Sequence, residues 1–193
     1  MSRISYVCLF ILLLQTSNAA YADVSKLPPY KITEHQLYLT AQQAYELKTK
    51  QEDDVLFVDV RTRPELEFVG VPDIIDVNIP YAFNDLEQWD SEKNRFKKKL
   101  NRNFIAALDA NLKKKGLDKN SKIIFMCRAG RRSALASNLI HEFGYTNVYS
   151  VIDGFEGDKI EDGPEKGKRK LNGWKNSGLP WGYKLDKEKM YFK

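Results

Sequence analysis

Short, nearly all-apolar runs that alternate with helix-like segments are the feature that most limits how this chain can fold. Runs of this length, rich in Val, Ile and Phe, are typical of strands buried on both faces of a sheet. They are Val55–Val60, Ile123–Met126 and Val148–Val151, with a weaker strand at Val77–Ile79 that Pro80 ends. Because strands that alternate with helices form right-handed β-α-β units, the pattern predicts an α/β fold built on a parallel sheet.

Three segments carry the signals of helices. A capping box formed by Thr40 and Gln43 opens the first. In the second, apolar residues recur every four positions, and Phe96 and Leu100 continue that series upstream. Glycines follow the second and third and can end them. The predicted helices are Thr40–Lys50, Asn103–Lys115 and Ser133–Phe143.

Residues 1–22 are predicted to be a cleaved secretory signal peptide. Arg3 supplies a positive start, Ile4–Leu14 is a short apolar run, and Ala20-Tyr21-Ala22 is a small-residue cleavage site. The apolar run is shorter than the roughly 20 residues of a comfortable membrane span. We therefore expect cleavage after Ala22, no stable membrane insertion of the mature chain, and a periplasmic or secreted location; the alternative is that the segment stays uncleaved as an anchor. Residues 23–31 are predicted to be a tether.

Cleavage would leave a basic chain with a single cysteine. The full chain has 31 Lys and Arg against 26 Asp and Glu, a net charge of +5, and loss of Arg3 lowers this to +4. The modest, dispersed excess is compatible with small anions and gives no indication of nucleic acid binding. The lysine runs Lys97–Lys99 and Lys113–Lys115 are interpreted as solvated faces and helix ends. Loss of Cys8 with the signal would leave Cys127 without an internal disulfide partner.

Cys127 stands where a predicted buried strand is followed by a loop and a helix, which is a position suited to anions. Ligands of open α/β sheets bind at the carboxyl ends of the strands, and the N-terminus of a helix favours negative charge. Gly130 allows a tight backbone, and Arg128, Arg131 and Arg132 add positive charge. These features favour the thiolate, which is the nucleophilic form of cysteine.

The loop Cys127-Arg128-Ala129-Gly130-Arg131-Arg132-Ser133 resembles the active-site loop of the rhodanese family, the thiosulfate and persulfide sulfurtransferases. Asp59-Val60-Arg61-Thr62 is similar to that family's D-V-R stretch, and Val77-Asn78-Ile79-Pro80 to its N-I-P element. The resemblance covers residues 32–155. It implies a single rhodanese-like domain with a parallel sheet of about five strands and helices on both faces. Residues 156–193 would form an irregular C-terminal extension that packs back on the domain.

The resemblance also implies the chemistry of the site. Cys127 would take sulfur from a small anionic donor, thiosulfate or a persulfide, and pass it to cyanide or a thiol. A protein acceptor is left open, and neither a cofactor nor a metal is implied. Loop N–H groups would hold the sulfur while the arginines attract the donor. The implied residues are catalytic Cys127, substrate-binding Arg128, Ala129, Gly130, Arg131, Arg132 and Ser133, and supporting Asp59 and Arg61, a buried pair that braces the loop.

The sequence departs from the family pattern in two places. Many members carry a G-H-[IV] step after D-V-R, where this chain has Gly70-Val71-Pro72. The stretch Arg61-Thr62-Arg63-Pro64 contains an extra residue. Both differences concern the donor pocket and leave the nucleophile in place. In the tail, Trp174 and Trp181 are interpreted as a cap on the core or as part of an acceptor pocket.

Three other functions compete with sulfur transfer. Phosphatases of this fold use a longer loop with arginine six positions after the cysteine, where this chain has Ser133. A metal site is disfavoured because the only histidines, His35 and His141, come without paired cysteines or metal-ligand spacing. The serious alternative is a non-catalytic domain or a single-turnover sulfur carrier, which an intact Cys127 does not distinguish from an enzyme.

Overall fold

The structure, a computed structural model, describes residues 27–192. The predicted signal peptide, its cleavage site and the first part of the predicted tether lie outside the described residues. At the start of the range, Pro29–Lys31 forms one 3-10 turn, and the buried Lys31 pairs with Asp158 at 2.8 Å. Within the range, no helix combines the length and the apolar character that a membrane crossing needs.

A five-stranded parallel sheet forms the centre of the molecule. Numbered along the chain, the strands are β1 (Tyr38–Leu39), β2 (Val55–Asp59), β3 (Val77–Asn78), β4 (Ala82–Asp90), β5 (Arg95–Leu100), β6 (Lys122–Met126) and β7 (Val148–Val151). The sheet has the order β1-β7-β6-β2-β3 with every neighbouring pair parallel, whereas β4 and β5 form a separate antiparallel hairpin. The predicted parallel sheet is confirmed, and β6, which leads into the Cys127 loop, is its central strand.

Helices cover both faces of this sheet. They are α1 (Ala41–Lys50), α2 (Arg63–Val69), α3 (Phe104–Lys114) and α4 (Arg131–His141). The side chains of β2 point alternately into the two cores that these helices form with the sheet. Leu56 and Val58 pack with α3 and α4 on one face. Val55 and Phe57 pack with α1 and α2 on the other face. The predicted capping box at Thr40 opens α1. The α/β architecture with helices on both faces is therefore confirmed.

The chain after β7 returns across the face of the sheet that α1 and α2 cover. Trp174 is completely buried there, and its indole Nε1–H donates to the carbonyl of Pro180 at 2.9 Å. Trp181 packs against Phe155 and lies directly over Gly70. Both indoles contact the core of the domain, and neither lines the pocket beside the cysteine loop.

The predicted continuation of a helical series upstream of Asn103 is wrong. Helix α3 begins at Phe104, while Phe96 and Leu100 lie on β5 of the hairpin. Phe96 packs edge-on against Trp89 of β4, with ring centroids 5.2 Å apart. Residues an even number of positions apart share a face of a strand, so a four-residue spacing is compatible with a strand as well as with a helix.

Candidate active site

Cys127 is the first residue after β6, at the carboxyl end of the central strand. The residue is only 1% exposed, yet it lines a pocket of about 910 Å³. The chain after β7 holds the backbone around it. The amide of Phe155 donates to the Cys127 carbonyl at 2.8 Å, and that of Glu156 donates to the Arg128 carbonyl at 2.9 Å. The fold thus presents one sulfur at the pocket and shields it from bulk water.

The backbone N–H groups of the loop after Cys127 are free to bind an anion. Within residues 27–192, the amides of residues 128–133 donate to no protein acceptor. Gly130 has a φ of +88° and caps α4, so the last three of these amides form the N-terminus of that helix. Unpaired amides at a helix N-terminus attract negative charge. The loop is therefore a backbone cradle for a small anion.

Two glycines allow other backbone segments to pass close to this loop. A Cβ at Gly130 would lie 2.2 Å from the carbonyl oxygen of Ile152, and a Cβ at Gly154 would lie 2.6 Å from the carbonyl oxygen of Cys127. Both glycines also have positive φ, which side chains disfavour. Sequence reasoning missed Gly154, because its closeness to the loop depends on how the chain returns after β7, and no local pattern shows this.

Arg132 forms an ion pair with Glu65 that the sequence did not reveal. Its two terminal nitrogens donate to the carboxylate at 2.7 and 2.5 Å. Burial alone would raise the pKa of Glu65, but the hydrogen bonds and charge of Arg132, with the hydrogen bonds of Thr62, outweigh it and hold that pKa at about 2. Burial conversely would lower the pKa of Arg132, yet Glu65 raises it. The pair is therefore charged on both sides at neutral pH.

The other two loop arginines have different surroundings. Arg128 is half exposed and pairs with Glu156 at 2.8 Å. Arg131 is the first residue of α4, is exposed, and has no carboxylate partner within the described range. Both line the pocket. Arg131 is thus the loop arginine whose charge is most available to an incoming anion.

Asp59 and Arg61 form a completely buried ion pair. The guanidinium donates to the carboxylate through Nε at 3.0 Å and through Nη2 at 2.6 Å, and Nη2 also donates to the Gly70 carbonyl. It lies 4.0 Å from the centroid of the Phe155 ring. Neither residue lines the pocket. They reach the Cys127 loop through Phe155, whose amide donates to the Cys127 carbonyl, and through β6, where Asp59 pairs in register with Met126.

Ser133 is completely buried in the first turn of α4. Its hydroxyl oxygen has no hydrogen-bond partner within the described residues. An unpaired buried hydroxyl costs about 1–3 kcal/mol, so its presence needs a reason. Ser133, like Gly130, does not line the pocket, but it belongs to the same loop whose amides are unpaired.

The hairpin of β4 and β5 forms a further wall of the pocket that sequence reasoning missed. Arg95, Phe96, Lys97 and Lys98 all line it. The run Lys97–Lys99 is exposed, as expected for a solvated face, but two of its lysines also face the site of Cys127. The burial of the β5 residues shows no period, because every position on β5 is exposed.

The two histidines meet away from the pocket. Their rings are edge to face, with centroids 4.8 Å apart. The Nε2 atom of His35 lies 2.7 Å from the Tyr145 carbonyl oxygen, and its Nδ1 lies 3.2 Å from Ser137 Oγ. Within residues 27–192, no group of three or more His, Cys, Asp and Glu side chains is placed to hold a metal ion.

Comparison with families and individual proteins identifies the relatives of this chain. It matches the family model of the rhodanese-like domain over residues 40–161. An uncharacterized protein of Rickettsia rickettsii is 32% identical over 129 residues, which are 67% of this chain and 84% of that protein. The match to the family model extends over more than half of the chain.

One solved structure shows the same fold, and a second has lower similarity to this chain. The crystal structure of Rv0390 from M. tuberculosis is 32% identical, with a TM-score of 0.57, and the match covers 76% of this chain and 97% of that chain. The solution structure of a polysulfide-sulfur transferase homodimer from Wolinella succinogenes is 23% identical, with a TM-score of 0.42, over 75% of this chain and 77% of that chain.

Proposed function

This chain belongs to the rhodanese-like domain family, and we propose that it is a sulfurtransferase in which Cys127 carries the sulfur as a persulfide. One observation carries the proposal. Cys127 opens a loop whose amides at residues 128–133 have no protein acceptor, and it lines a pocket with an excess of cations. A nucleophile, an anion cradle and a cationic approach are the parts that sulfur transfer from an anionic donor needs.

In the first step the Cys127 thiolate attacks the outer sulfur of thiosulfate. A bond forms between Sγ and that sulfur, the sulfur–sulfur bond of thiosulfate breaks, and sulfite leaves with the electron pair. The products are the Cys127 persulfide anion and sulfite, so charge and electrons balance. An organic persulfide donor would react in the same way, with a thiolate as the leaving group.

In the second step cyanide or a thiolate attacks the outer sulfur of the persulfide. The bond from that sulfur to Cys127 Sγ breaks, and the electron pair returns to Cys127 as a thiolate. Thiocyanate or an organic persulfide leaves. The loop amides would stabilise the negative terminal sulfur between the two steps, and the unpaired hydroxyl of Ser133 would add one more donor.

Arg132 and Glu65 would act by positioning the loop amides. Their ion pair holds the first turn of α4 in place, so the amides of the cradle stay aimed at one point. Arg131, which has no carboxylate partner within the described residues, would attract the anionic donor.

The decisive experiment is the intact mass of the purified protein before and after thiosulfate, and again after cyanide. We expect a gain of one sulfur atom, its loss with cyanide, and no gain in Cys127→Ser, whose folding is checked by its unfolding curve. Thiocyanate in large excess over protein would establish an enzyme, and one thiocyanate per chain would establish a carrier. A reduced wild-type protein that gains no sulfur would overturn the proposal.

We also propose that the chain is exported to the periplasm or secreted. The order of a positive residue, an apolar run and a small-residue site in residues 1–22 supports this. The test is the N-terminal sequence of the protein recovered from the producing cells. Asp23 as the first residue would support export with cleavage, and a chain that keeps residues 1–22 and is recovered from the cytosol would contradict export.

A further inference from the structure

The pocket beside Cys127 is much larger than a sulfur donor needs. Its volume of about 910 Å³ lies near the top of the range of roughly 300–1,000 Å³ that holds drug-sized ligands. Thiosulfate or cyanide would fill only a small part of it. The remaining walls come from the hairpin of β4 and β5, from the turn at Pro29–Lys31 and from the chain within 158–169.

Most carboxylates that line this pocket are already neutralised by a cation. Three ion pairs do this within the described residues: Glu65–Arg132, Asp158–Lys31 and Asp90–Lys93. Glu161 is the lining carboxylate without such a partner in the part of the chain that the structure describes. The acidic residues of the pocket therefore leave little negative charge to attract a cationic ligand.

Most cations that line the pocket, in contrast, lack a carboxylate partner within the described residues. Six of them have no carboxylate partner within residues 27–192, and they come from β5, from the start of α4 and from the segment after β7. They are Arg95, Lys97, Lys98, Arg131, Lys159 and Arg169. Such an excess of unpaired cations around one concave space selects ligands with more than one negative group.

Lys98 shows that these cations are crowded. Partial burial lowers its pKa, and the positive charges of Arg132, Arg95 and Arg128 lower it further, while the charge of Glu65 acts in the opposite direction. Within the described residues, its ammonium donates only to the neutral side chain of Asn84. A carboxylate bound beside Lys98 would relieve this repulsion, which makes the hairpin wall a favourable place for an anionic group.

We propose that Arg95, Lys98 and Arg131 bind the carboxylates of a low-molecular-weight thiol that accepts the sulfur from Cys127. The inference rests on the proposed function and names its acceptor class. A concave pocket of about 910 Å³ suits a small molecule, and Tyr30, which also lines the pocket, offers an aromatic face to its apolar part.

The transfer itself is balanced without an oxidant. The thiolate of the acceptor attacks the outer sulfur of the Cys127 persulfide, and a new sulfur–sulfur bond forms. The bond from that sulfur to Cys127 Sγ breaks, and Cys127 leaves as a thiolate. The acceptor departs as a persulfide that keeps its carboxylates.

The test compares two acceptors of similar size on preformed persulfide. The protein is loaded with thiosulfate, the donor is removed, and the loss of sulfur is followed by intact mass with mercaptosuccinate or with its neutral diamide. The measured quantity is the ratio of the two rate constants. Because the intrinsic reactivities of the two thiols cancel between protein variants, a change in the ratio reports charge recognition by the protein.

We expect the ratio to fall about threefold in Lys98→Gln and in Arg95→Gln, and on the order of tenfold in the double variant. Lys99→Gln is the matched control, because it removes the same charge from the next position on β5, which does not line the pocket. The preference of the wild-type protein for mercaptosuccinate should also weaken with added salt.

The outcomes separate this inference from the proposed function. If the wild-type protein forms no persulfide, both are overturned. If the persulfide forms and cyanide discharges it, but the ratio is the same in Lys98→Gln and Lys99→Gln, the acceptor class is wrong and the sulfurtransferase stands. Transfer to an acidic protein but to neither small thiol would also overturn the inference.

Discussion

The carboxylate of Glu65 holds both terminal nitrogens of Arg132 and joins helices that lie on opposite faces of the sheet. Glu65 stands in the first turn of α2, and Arg132 stands in the first turn of α4, just after the Cys127 loop. The same carboxylate accepts hydrogen bonds from the N–H and the hydroxyl of Thr62. One side chain therefore caps α2 and fixes the end of the anion cradle.

Replacing Glu65 by Gln should destabilise the protein by about 2–3 kcal/mol. The change leaves the guanidinium of Arg132, a mostly buried charge, without its counter-ion. The measurement is the urea midpoint, with Glu67→Gln as control, since Glu67 is exposed on the same helix. Equal midpoints for the two variants would show that the ion pair contributes nothing to stability.

The same ion pair predicts how the free energy of unfolding depends on pH. The folded pKa of Glu65 is about 2, below its ordinary 4.5, so its contribution is complete above pH 4.5 and is lost as the pH falls toward 2. A shift of this size corresponds to roughly 3 kcal/mol. The free energy of unfolding is measured from pH 6 to pH 2 for the wild type and Glu65→Gln. The gap between them should close toward pH 2, and a constant gap would contradict the prediction.

Gly154→Ala should displace the Cys127 loop. The new methyl group would lie 2.6 Å from the Cys127 carbonyl oxygen, and the φ of +63° adds backbone strain. We expect a loss of about 1–3 kcal/mol of stability and a slower gain of sulfur from thiosulfate. Gly163→Ala is the control for strain alone, because its φ is +80° and it has no neighbour within 4 Å. Equal losses of stability and equal rates of sulfur gain in the two variants would show that crowding of the Cys127 loop has no effect.

The buried pair of Asp59 and Arg61 should show strong coupling. Asp59→Asn leaves the charge of Arg61 in a fully buried site and should cost about 3–5 kcal/mol. The double variant Asp59→Leu with Arg61→Met buries no charge, so it should lose less than the sum of the single variants Asp59→Leu and Arg61→Met. A double-mutant cycle on unfolding free energies measures this, and simple additivity would rule the coupling out.

Arg131 and Arg128 should differ in their effect on thiosulfate. Arg131→Gln removes a charge that has no carboxylate partner in the described range, whereas Arg128→Gln removes one that Glu156 partly neutralises. We expect the KM for thiosulfate to rise about fivefold in the first and less than about twofold in the second. Steady-state kinetics with cyanide decides this, and the difference should shrink at high salt. A larger rise in KM for Arg128→Gln would show that Arg128, and not Arg131, attracts thiosulfate.

Local patterns predicted four of the five strands of the central sheet and the position of the cysteine, but they missed the two-residue strand β1. Apolar runs such as Ile123–Met126 predict buried strands, and the Thr40 capping box predicts the start of α1. The four-residue spacing of Phe96 and Leu100 led to a wrong prediction of helix, because that spacing is compatible with both helix and strand, and both residues lie on β5. Helix α2 was not predicted, although Thr62 and Glu65 carry a capping signal, because its seven residues bury only Leu66 and so show no apolar period.

The fold class, the place of Cys127 at a strand end and the extent of its loop follow from local sequence, because they depend on neighbours within a few positions. Only the folded chain shows that Glu65 pairs with Arg132, that Gly154 lies against the loop and that Lys98 lines the pocket. Each of these contacts joins residues far apart in the chain. Their meeting depends on how the helices cross the sheet and where the hairpin folds, and no local periodicity records that geometry.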